Sequence, residues 1–184
     1  MHPNLFTSMN LYFIGLRGAG KSTVGFAVSR LLKRPYFDSD QQIIEQSHQS
    51  IAEIFANDGE AEFRRWEQLM CEVLTQQRNV VVSWGGGIVT NSENRKNLQR
   101  TGKSIWLTAS PEFLAQRIGA DQSSAAMRPR LTNENDLVAE LRSTLEKRRD
   151  LYAACADYTL DVENRSLEDL VTNAVSWWQE SDNH

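Results

Sequence analysis

Short apolar segments alternate along this chain with stretches in which apolar residues recur every three or four positions. The short segments are rich in β-branched and aromatic residues, as is typical of buried strands. They cover residues 10–15, 36–38, 79–84, 104–108 and 158–162. Helical spacing is clearest within residues 24–32, 63–74, 137–152 and 167–178. This alternation predicts an α/β fold in which helices cover both faces of a mainly parallel sheet.

One segment, at residues 118–135, interrupts this pattern because it is polar and poor in aliphatic residues. We expect a mobile lid there, since surface loops of this length and composition commonly close over active sites. No repeat or glycine-rich linker divides the rest of the sequence. We therefore expect a single domain over residues 9–184, preceded by a disordered tail at residues 1–8.

The composition restricts the class of protein. The chain has 184 residues, a hydrophobic fraction of 40% and a net charge of −4, which argue against nucleic-acid or membrane partners. Its cysteines, Cys71 and Cys155, lie far apart among apolar residues, so we expect reduced core thiols and a cytoplasmic location. Two of the three histidines lie at the termini, which makes a zinc enzyme or a serine hydrolase a poor interpretation.

The most specific motif is the octapeptide GLRGAGKS at residues 15–22, which matches GxxxxGK[ST] between a predicted strand and a predicted helix. In such a loop, backbone N–H groups and the helix N-terminus bind phosphate. Lys21 would contact the terminal phosphates, and Ser22 would bind Mg²⁺. The motif therefore predicts a site for a nucleoside triphosphate and Mg²⁺, formed by Gly15, Gly18, Ala19, Gly20, Lys21, Ser22 and Thr23.

Several classes of protein carry this loop. GTPases also have DxxG and NKxD sequences, neither of which occurs here. Large ATPases have longer chains and an acidic pair at the end of a further strand. The short chain and the lid favour a kinase that acts on a small molecule.

Two further motifs follow predicted strands, where open α/β sheets bind their ligands. Asp38 and Asp40 lie at the end of the second strand, and two carboxylates at this spacing along a strand would share one side. One could bind magnesium while the other accepts a proton, although Asp40 could instead cap the next helix. Gly85, Gly86 and Gly87 follow the third strand. They would expose backbone N–H groups to a ligand or form a plain turn.

Helical position separates two arginines from their basic neighbours. Arg64 lies at the edge of the apolar stripe of its helix and three residues before Glu67, whereas Arg65 points away. Arg148 lies on the stripe of a later helix, where a cation needs an anionic partner. Both guanidiniums could bind a carboxylate in a ligand. The alternatives are a surface ion pair for Arg64 and a snorkelling side chain for Arg148.

The predicted lid contains Arg128, Pro129 and Arg130. An arginine in a loop that closes over bound ATP can stabilise the charge that develops during phosphoryl transfer. We therefore expect Arg128 to act on the phosphates.

Together and in this order, these motifs resemble the shikimate kinase family from about residue 12 to residue 171. The matching parts are residues 15–22, residues 38–40, Gly59-Glu60 before Phe63-Arg64-Arg65 and Glu67, residues 85–87, Arg128-Pro129, and Arg148 before Leu151-Tyr152. The chain departs from the family pattern at Trp84, at Arg149-Asp150 and at the lid residues Arg130 and Thr132.

The resemblance implies a five-stranded parallel sheet of order 2-3-1-4-5, a substrate-binding region at about residues 40–67, and a lid. It also implies transfer of the γ-phosphoryl group of ATP to the 3-hydroxyl of shikimate, with Mg²⁺, on the route to chorismate and the aromatic amino acids. The resemblance further implies that Asp40 is the base and binds the substrate hydroxyls, and that Asp38 lies near magnesium. It implies that shikimate is bound by Arg64, Arg148 and Gly86, with Gly85 and Gly87 beside them. It implies that ATP is bound by Arg128 and Arg165.

Two other functions remain open at this point. A kinase of the same fold could act on another hydroxy-acid, such as gluconate. A nucleotide-binding regulator without turnover would keep the phosphate loop but would not need a substrate clamp. For a kinase of this size we expect a monomer that binds only small molecules.

Overall fold

The computed structural model describes residues 9–120 and 134–182. In chain order, the strands are β1 (Asn10–Ile14), β2 (Tyr36–Asp38), β3 (Val81–Ser83), β4 (Gly102–Thr108) and β5 (Tyr158–Asp161). The α-helices are α1 (Lys21–Leu32), α2 (Ser39–Ser47), α3 (Ile51–Asn57), α4 (Gly59–Thr75), α5 (Ser92–Thr101), α6 (Pro111–Ala120), α7 (Glu134–Cys155) and α8 (Leu167–Asp182). A 3₁₀ turn lies at Ile88–Thr90.

The five strands form one parallel sheet of order β2-β3-β1-β4-β5, which confirms the predicted fold. The central strand β1 is buried along its whole length, and its Leu11 pairs with Val81 on one side and Lys103 on the other. Because β2, β3 and β1 are neighbours and parallel, the segments that follow them meet at one edge of the sheet.

The helices flank the sheet in two groups. In one group α1 packs against α8. In the other, α4 packs against α5, and α5 packs against α7. The main apolar core lies between these layers and extends from Leu11 in β1 to Trp178 in α8. The expected core position of Trp178 is confirmed, since its side chain is 3% exposed.

A second, smaller core lies beside the main one. Its buried members are Ile43, Ile51, Ile54, Phe63 and Met70. The helix α4 joins the two cores, because Phe63 and Met70 pack in the small core while Cys71 and Leu74 pack in the main one. Helices α2, α3 and the first half of α4 therefore have an apolar centre of their own.

The hydrophobic pattern did not predict α2, α3, α5 or α6. These helices are short, and local polar contacts define where they begin. Ser50 and Glu53 form a reciprocal capping box at α3, and the Asn91 side chain accepts the N–H groups of Glu93 and Asn94 at α5.

The structure describes only the two ends of the predicted lid, and both are helical. Helix α6 continues through Ala120, and α7 begins at Glu134. The intervening residues, with Arg128 and Arg130, lie outside the described residues, as does the predicted tail at residues 1–8. In the part of the chain that the structure describes, no helix has the length and apolar character needed to cross a membrane.

Candidate active site

The phosphate loop links β1 to α1 at the edge of the sheet. Gly15, Gly18 and Gly20 have φ angles of 142°, 83° and 84°, a region that favours glycine. A Cβ atom at Gly15 would also overlap the carbonyl oxygen of Leu107 in β4. The Lys21 ammonium group donates to the carbonyl oxygen of Leu16 at 2.9 Å, which holds this side chain across the loop.

The two residues proposed for magnesium binding lie in direct contact. The Ser22 hydroxyl donates to Asp38 Oδ2 at 2.5 Å. The Tyr36 hydroxyl is 3.5 Å from the same oxygen, and burial raises the pKa of this phenol to about 12, so it remains protonated. A hydroxyl beside a carboxylate is a hard oxygen donor set that suits Mg²⁺, which also binds water and substrate phosphates.

The position of Asp40 differs from the one expected. The strand β2 ends at Asp38 and α2 begins at Ser39, so Asp38 and Asp40 are not aligned along one strand. Asp38 is the residue that caps α2, because its Oδ1 accepts the N–H groups of Asp40 and Gln41 at 3.0 and 3.3 Å. The alternative in which Asp40 caps the helix was therefore wrong, and Asp40 lies inside its first turn.

Asp40 and Glu67 approach the first glycine of the triplet. A Cβ atom at Gly85 would lie 2.7 Å from Asp40 Oδ1 and 3.0 Å from Glu67 Oε1. The Gly85 N–H donates to the Ser39 hydroxyl at 2.9 Å, which fixes this backbone against α2. Two carboxylates thus meet at a position where a larger residue would not fit.

Arg64 lies over the third glycine. It donates to Glu60 at 2.8 Å and to the buried Glu67, and a Cβ atom at Gly87 would overlap its Nη1. Burial alone would lower the pKa of Arg64, but Glu67 and Glu60 raise it above its usual value. Arg65 is 80% exposed and pairs with Glu62, so of the two arginines only Arg64 points towards the glycine triplet, as helical position predicted.

Arg148 and Tyr152 reach the second glycine from α7. Arg148 Nη1 donates to the Gly86 carbonyl oxygen at 3.0 Å, and the Tyr152 hydroxyl donates to the same oxygen at 2.6 Å. The neighbours Lys147 and Arg149 are exposed, which supports the choice of Arg148. Arg149 and Asp150 continue α7 without a break.

These contacts surround a cavity of about 910 Å³. Its basic lining residues are Arg17, Arg64 and Arg148, and Phe55 and Phe63 form part of an apolar wall. Gly86 and Gly87 also line it, whereas Asp40 and Gly85 adjoin it through Glu67 and Gly86. A cavity with guanidiniums, carboxylates, backbone amides and an apolar wall suits a small anionic molecule with several hydroxyl groups.

Two arginines near the phosphate loop were not among the predicted site residues, and the predicted role of Arg165 stays a prediction. The Arg117 guanidinium, at the end of α6, lies 3.2 Å from the position that a Cβ atom would take at Gly20. Arg17 of the phosphate loop lines the cavity. Arg165 is exposed between β5 and α8, where its charge contributes to lowering the pKa of Asp169, and no contact joins it to the described phosphate loop.

Trp84, one of the departures from the family pattern, packs towards the core. Its ring is 1% exposed and lies edge-on to Tyr12, with 5.7 Å between the ring centres. The bulky side chain at this position therefore packs in the main apolar core.

A phosphate loop with its lysine and Ser–Asp pair, next to a cavity at the carboxyl edge of a parallel sheet, defines a P-loop kinase of small molecules. Comparison with known families identifies it more closely. The family model described as shikimate kinase matches residues 17–179. The chain belongs to the shikimate kinase family.

Individual relatives agree with this assignment. The shikimate kinase of Burkholderia pseudomallei is 41% identical over 163 residues, which cover 89% of this chain and 86% of the relative. The shikimate kinase of Coxiella burnetii is 39% identical over 90% of this chain and 91% of its own.

The solved structures agree as well. The structure of shikimate kinase from Acinetobacter baumannii in complex with shikimate matches with a TM-score of 0.87, at 32% identity and 95% coverage of each chain. A gluconokinase from Sinorhizobium meliloti matches with a TM-score of 0.60 at 17% identity and shares the fold.

Proposed function

We propose that this chain transfers the γ-phosphoryl group of ATP to the 3-hydroxyl of shikimate. One observation carries the proposal: Arg64, Arg148 and Asp40 come from three different helices and converge on the glycine triplet beside the phosphate loop. Shikimate has one carboxylate and several hydroxyl groups, which match two guanidiniums, a nearby carboxylate and backbone amides.

The two guanidiniums bind the substrate carboxylate. Arg64 and Arg148 both line the cavity, and both are partly buried, so their interaction with an anion is less screened than at an exposed surface. Glu67, which is 4% exposed, holds Arg64 in this position. The pair orients the ring so that a hydroxyl faces the phosphate loop.

Asp40 is the proposed base for that hydroxyl. Its carboxylate adjoins the cavity at Gly85, where it can accept a hydroxyl proton as the oxygen attacks phosphorus. The N–H groups of Gly86 and Gly87 make no hydrogen bond to any described residue, so they can donate to substrate hydroxyls.

The phosphate loop and its neighbours bind ATP. Backbone N–H groups of residues 15–23 surround the phosphates, Lys21 contacts them, and Arg117 adds positive charge next to Gly20. Ser22 and Asp38 would hold Mg²⁺, which neutralises negative charge on the phosphates during transfer. Arg128 of the lid and Arg165 are proposed as further ATP contacts.

An assay of ADP release in the presence and absence of shikimate tests the proposal. We expect fast turnover only with shikimate, and a product whose phosphorus NMR spectrum shows a phosphate ester on the 3-hydroxyl. Equal rates with and without shikimate would contradict the function. Turnover with gluconate instead would identify a related hydroxy-acid kinase, and nucleotide binding without turnover would indicate a regulator.

We also propose that the chain works as a monomer in the cytoplasm and binds no nucleic acid. Both cysteines are reduced and buried, as is common in a reducing compartment, and the net charge of −4 disfavours nucleic-acid binding. Light scattering after size-exclusion chromatography measures the oligomeric state, with a mass near 21.0 kDa expected.

A further inference from the structure

The Gly86 carbonyl oxygen accepts two hydrogen bonds from one face of α7. The Tyr152 hydroxyl donates at 2.6 Å and Arg148 Nη1 at 3.0 Å. The two residues are four positions apart, so they lie one above the other on the helix. A single backbone oxygen thus joins a substrate-binding guanidinium to a phenol that does not line the cavity.

The phenol ring of Tyr152 is held firmly in place. It is 0% exposed and stacks on Trp106 of β4, with 5.5 Å between the ring centres and 17° between the planes. Burial raises the pKa of the hydroxyl to about 12, so it keeps its proton and remains a donor at neutral pH. The hydroxyl of this α7 residue is therefore held at a fixed point beside the sheet.

The glycine triplet needs such a fixed point. Three consecutive glycines have no side chains to hold them, and their backbone has wide conformational freedom. Because a trans peptide is planar, the Gly86 carbonyl and the Gly87 N–H point in opposite directions, and fixing the first fixes the second. Gly86 also packs on the phosphate loop, since a Cβ atom there would lie 3.3 Å from the Gly15 carbonyl oxygen.

We propose that Tyr152 is a positioning residue for the phosphoryl acceptor. Its hydroxyl holds the Gly86 carbonyl so that the Gly87 N–H and the Arg148 guanidinium keep the directions in which they bind the acceptor. Without the hydroxyl, Arg148 must serve both the buried carbonyl and the substrate carboxylate. The inference rests on the proposed function to the extent that the acceptor binds in this cavity.

The test is the Tyr152→Phe variant, which keeps the ring and its stacking on Trp106 but removes the donor. We expect the KM for the acceptor to rise about tenfold, the change in equilibrium that corresponds to one lost hydrogen bond. The KM for ATP should stay within about twofold, because the phosphate loop keeps its own contacts.

The matched control is Tyr12→Phe. Tyr12 is also 0% exposed, and its hydroxyl bonds Asn10 and Thr101 near the start of β1 and the end of α5. This variant should lower Tm by a similar amount and leave both KM values unchanged. If Tyr152→Phe also left the acceptor KM unchanged, or raised both KM values together, the hydroxyl would be merely structural and the proposal wrong.

A double-variant cycle tests the shared carbonyl. In an Arg148→Lys background, Tyr152→Phe should raise the acceptor KM clearly less than in the wild type, since the guanidinium that it orients is gone. Fully additive effects would overturn the proposal. Wild-type turnover tests the proposed function separately, and the variants are compared using the acceptor that the wild type phosphorylates.

Discussion

Ser22 and Asp38 join the phosphate loop to the end of β2 through one hydrogen bond of 2.5 Å between hydroxyl and carboxylate. The other oxygen of Asp38 caps α2, the helix that carries Asp40. One side chain therefore links the proposed metal position, the phosphate loop and the proposed base. The nucleotide and acceptor halves of the site are connected at this residue.

Replacing Asp38 should alter the dependence on Mg²⁺. Asparagine caps helices about as well as aspartate does, so Asp38→Asn should fold with a similar Tm. Loss of the carboxylate should raise the Mg²⁺ concentration at half-maximal activity by about ten- to a hundredfold. A titration of activity with MgCl₂ at fixed ATP measures this shift. An unchanged titration curve would show that Asp38 does not act on the metal.

Asp40→Asn should remove most of the chemistry while leaving nucleotide binding intact. Loss of a general base costs about 10² to 10⁴ in rate, so kcat should fall by at least about a hundredfold. Calorimetry with ADP should give an affinity within about twofold of the wild type, since Asp40 adjoins Gly85 rather than the phosphate loop. A loss of ADP binding with kcat preserved would mean that the role of Asp40 is misassigned.

Arg64 and Arg65 provide a matched pair of substitutions on α4. Arg64→Lys keeps a positive charge beside the buried Glu67 but loses the two-pronged geometry that fits a carboxylate. We expect the KM for shikimate to rise about ten- to a hundredfold, with little change in the KM for ATP. Arg65→Lys, at an 80% exposed side chain, should leave both values unchanged. Equal effects of the two substitutions would contradict the site.

Arg117→Ala should weaken the binding of ATP. The guanidinium lies against Gly20 of the phosphate loop, where it adds attraction for the phosphates. We expect the KM for ATP to rise about tenfold and the KM for shikimate to change little. The control is Arg100→Ala on α5. The Arg100 side chain is exposed and donates a hydrogen bond to Asn97. An unchanged KM for ATP would remove Arg117 from the nucleotide site.

Asp169 should make stability depend on pH. The carboxylate accepts the N–H and O–H of Ser166 at the start of α8, and these hydrogen bonds lower its pKa below the usual value. A lowered pKa adds stability above the unfolded value of about 3.9, and this stability is lost as pH falls through the folded value.

The test compares Tm across pH. Asp169→Asn should lower Tm by about 1 to 3 °C at pH 7, and the difference from the wild type should shrink below about pH 4. A difference that stays constant down to acid pH would exclude the carboxylate as its source.

Residues with strong local signals could be predicted from the sequence. The phosphate loop is contiguous, and Arg64 and Arg148 stand out because a cation on or beside an apolar stripe needs an explanation. The argument that placed Asp40 on a strand was wrong, since Asp40 lies in the first turn of α2, where its carboxylate approaches Gly85.

Other features depend on contacts distant in sequence. The role proposed for Tyr152 could not be predicted from the sequence, because the carbonyl that it bonds lies 66 residues away. Arg117 lies in the last turn of α6, and only the packing of that helix brings the side chain over Gly20. Four helices were missed; they are short, and polar caps mark the starts of α3 and α5 among them.

The division of the interior into two apolar cores has an evolutionary consequence. The helices around Ile43, Ile51 and Phe63 satisfy their own packing, and α4 is the element that anchors in both cores. Substitutions in these helices can therefore change which alcohol binds while the side chains of the sheet stay the same. One ancestral nucleotide-binding domain could thus evolve to phosphorylate different acceptors through changes in α2, α3 and the first half of α4.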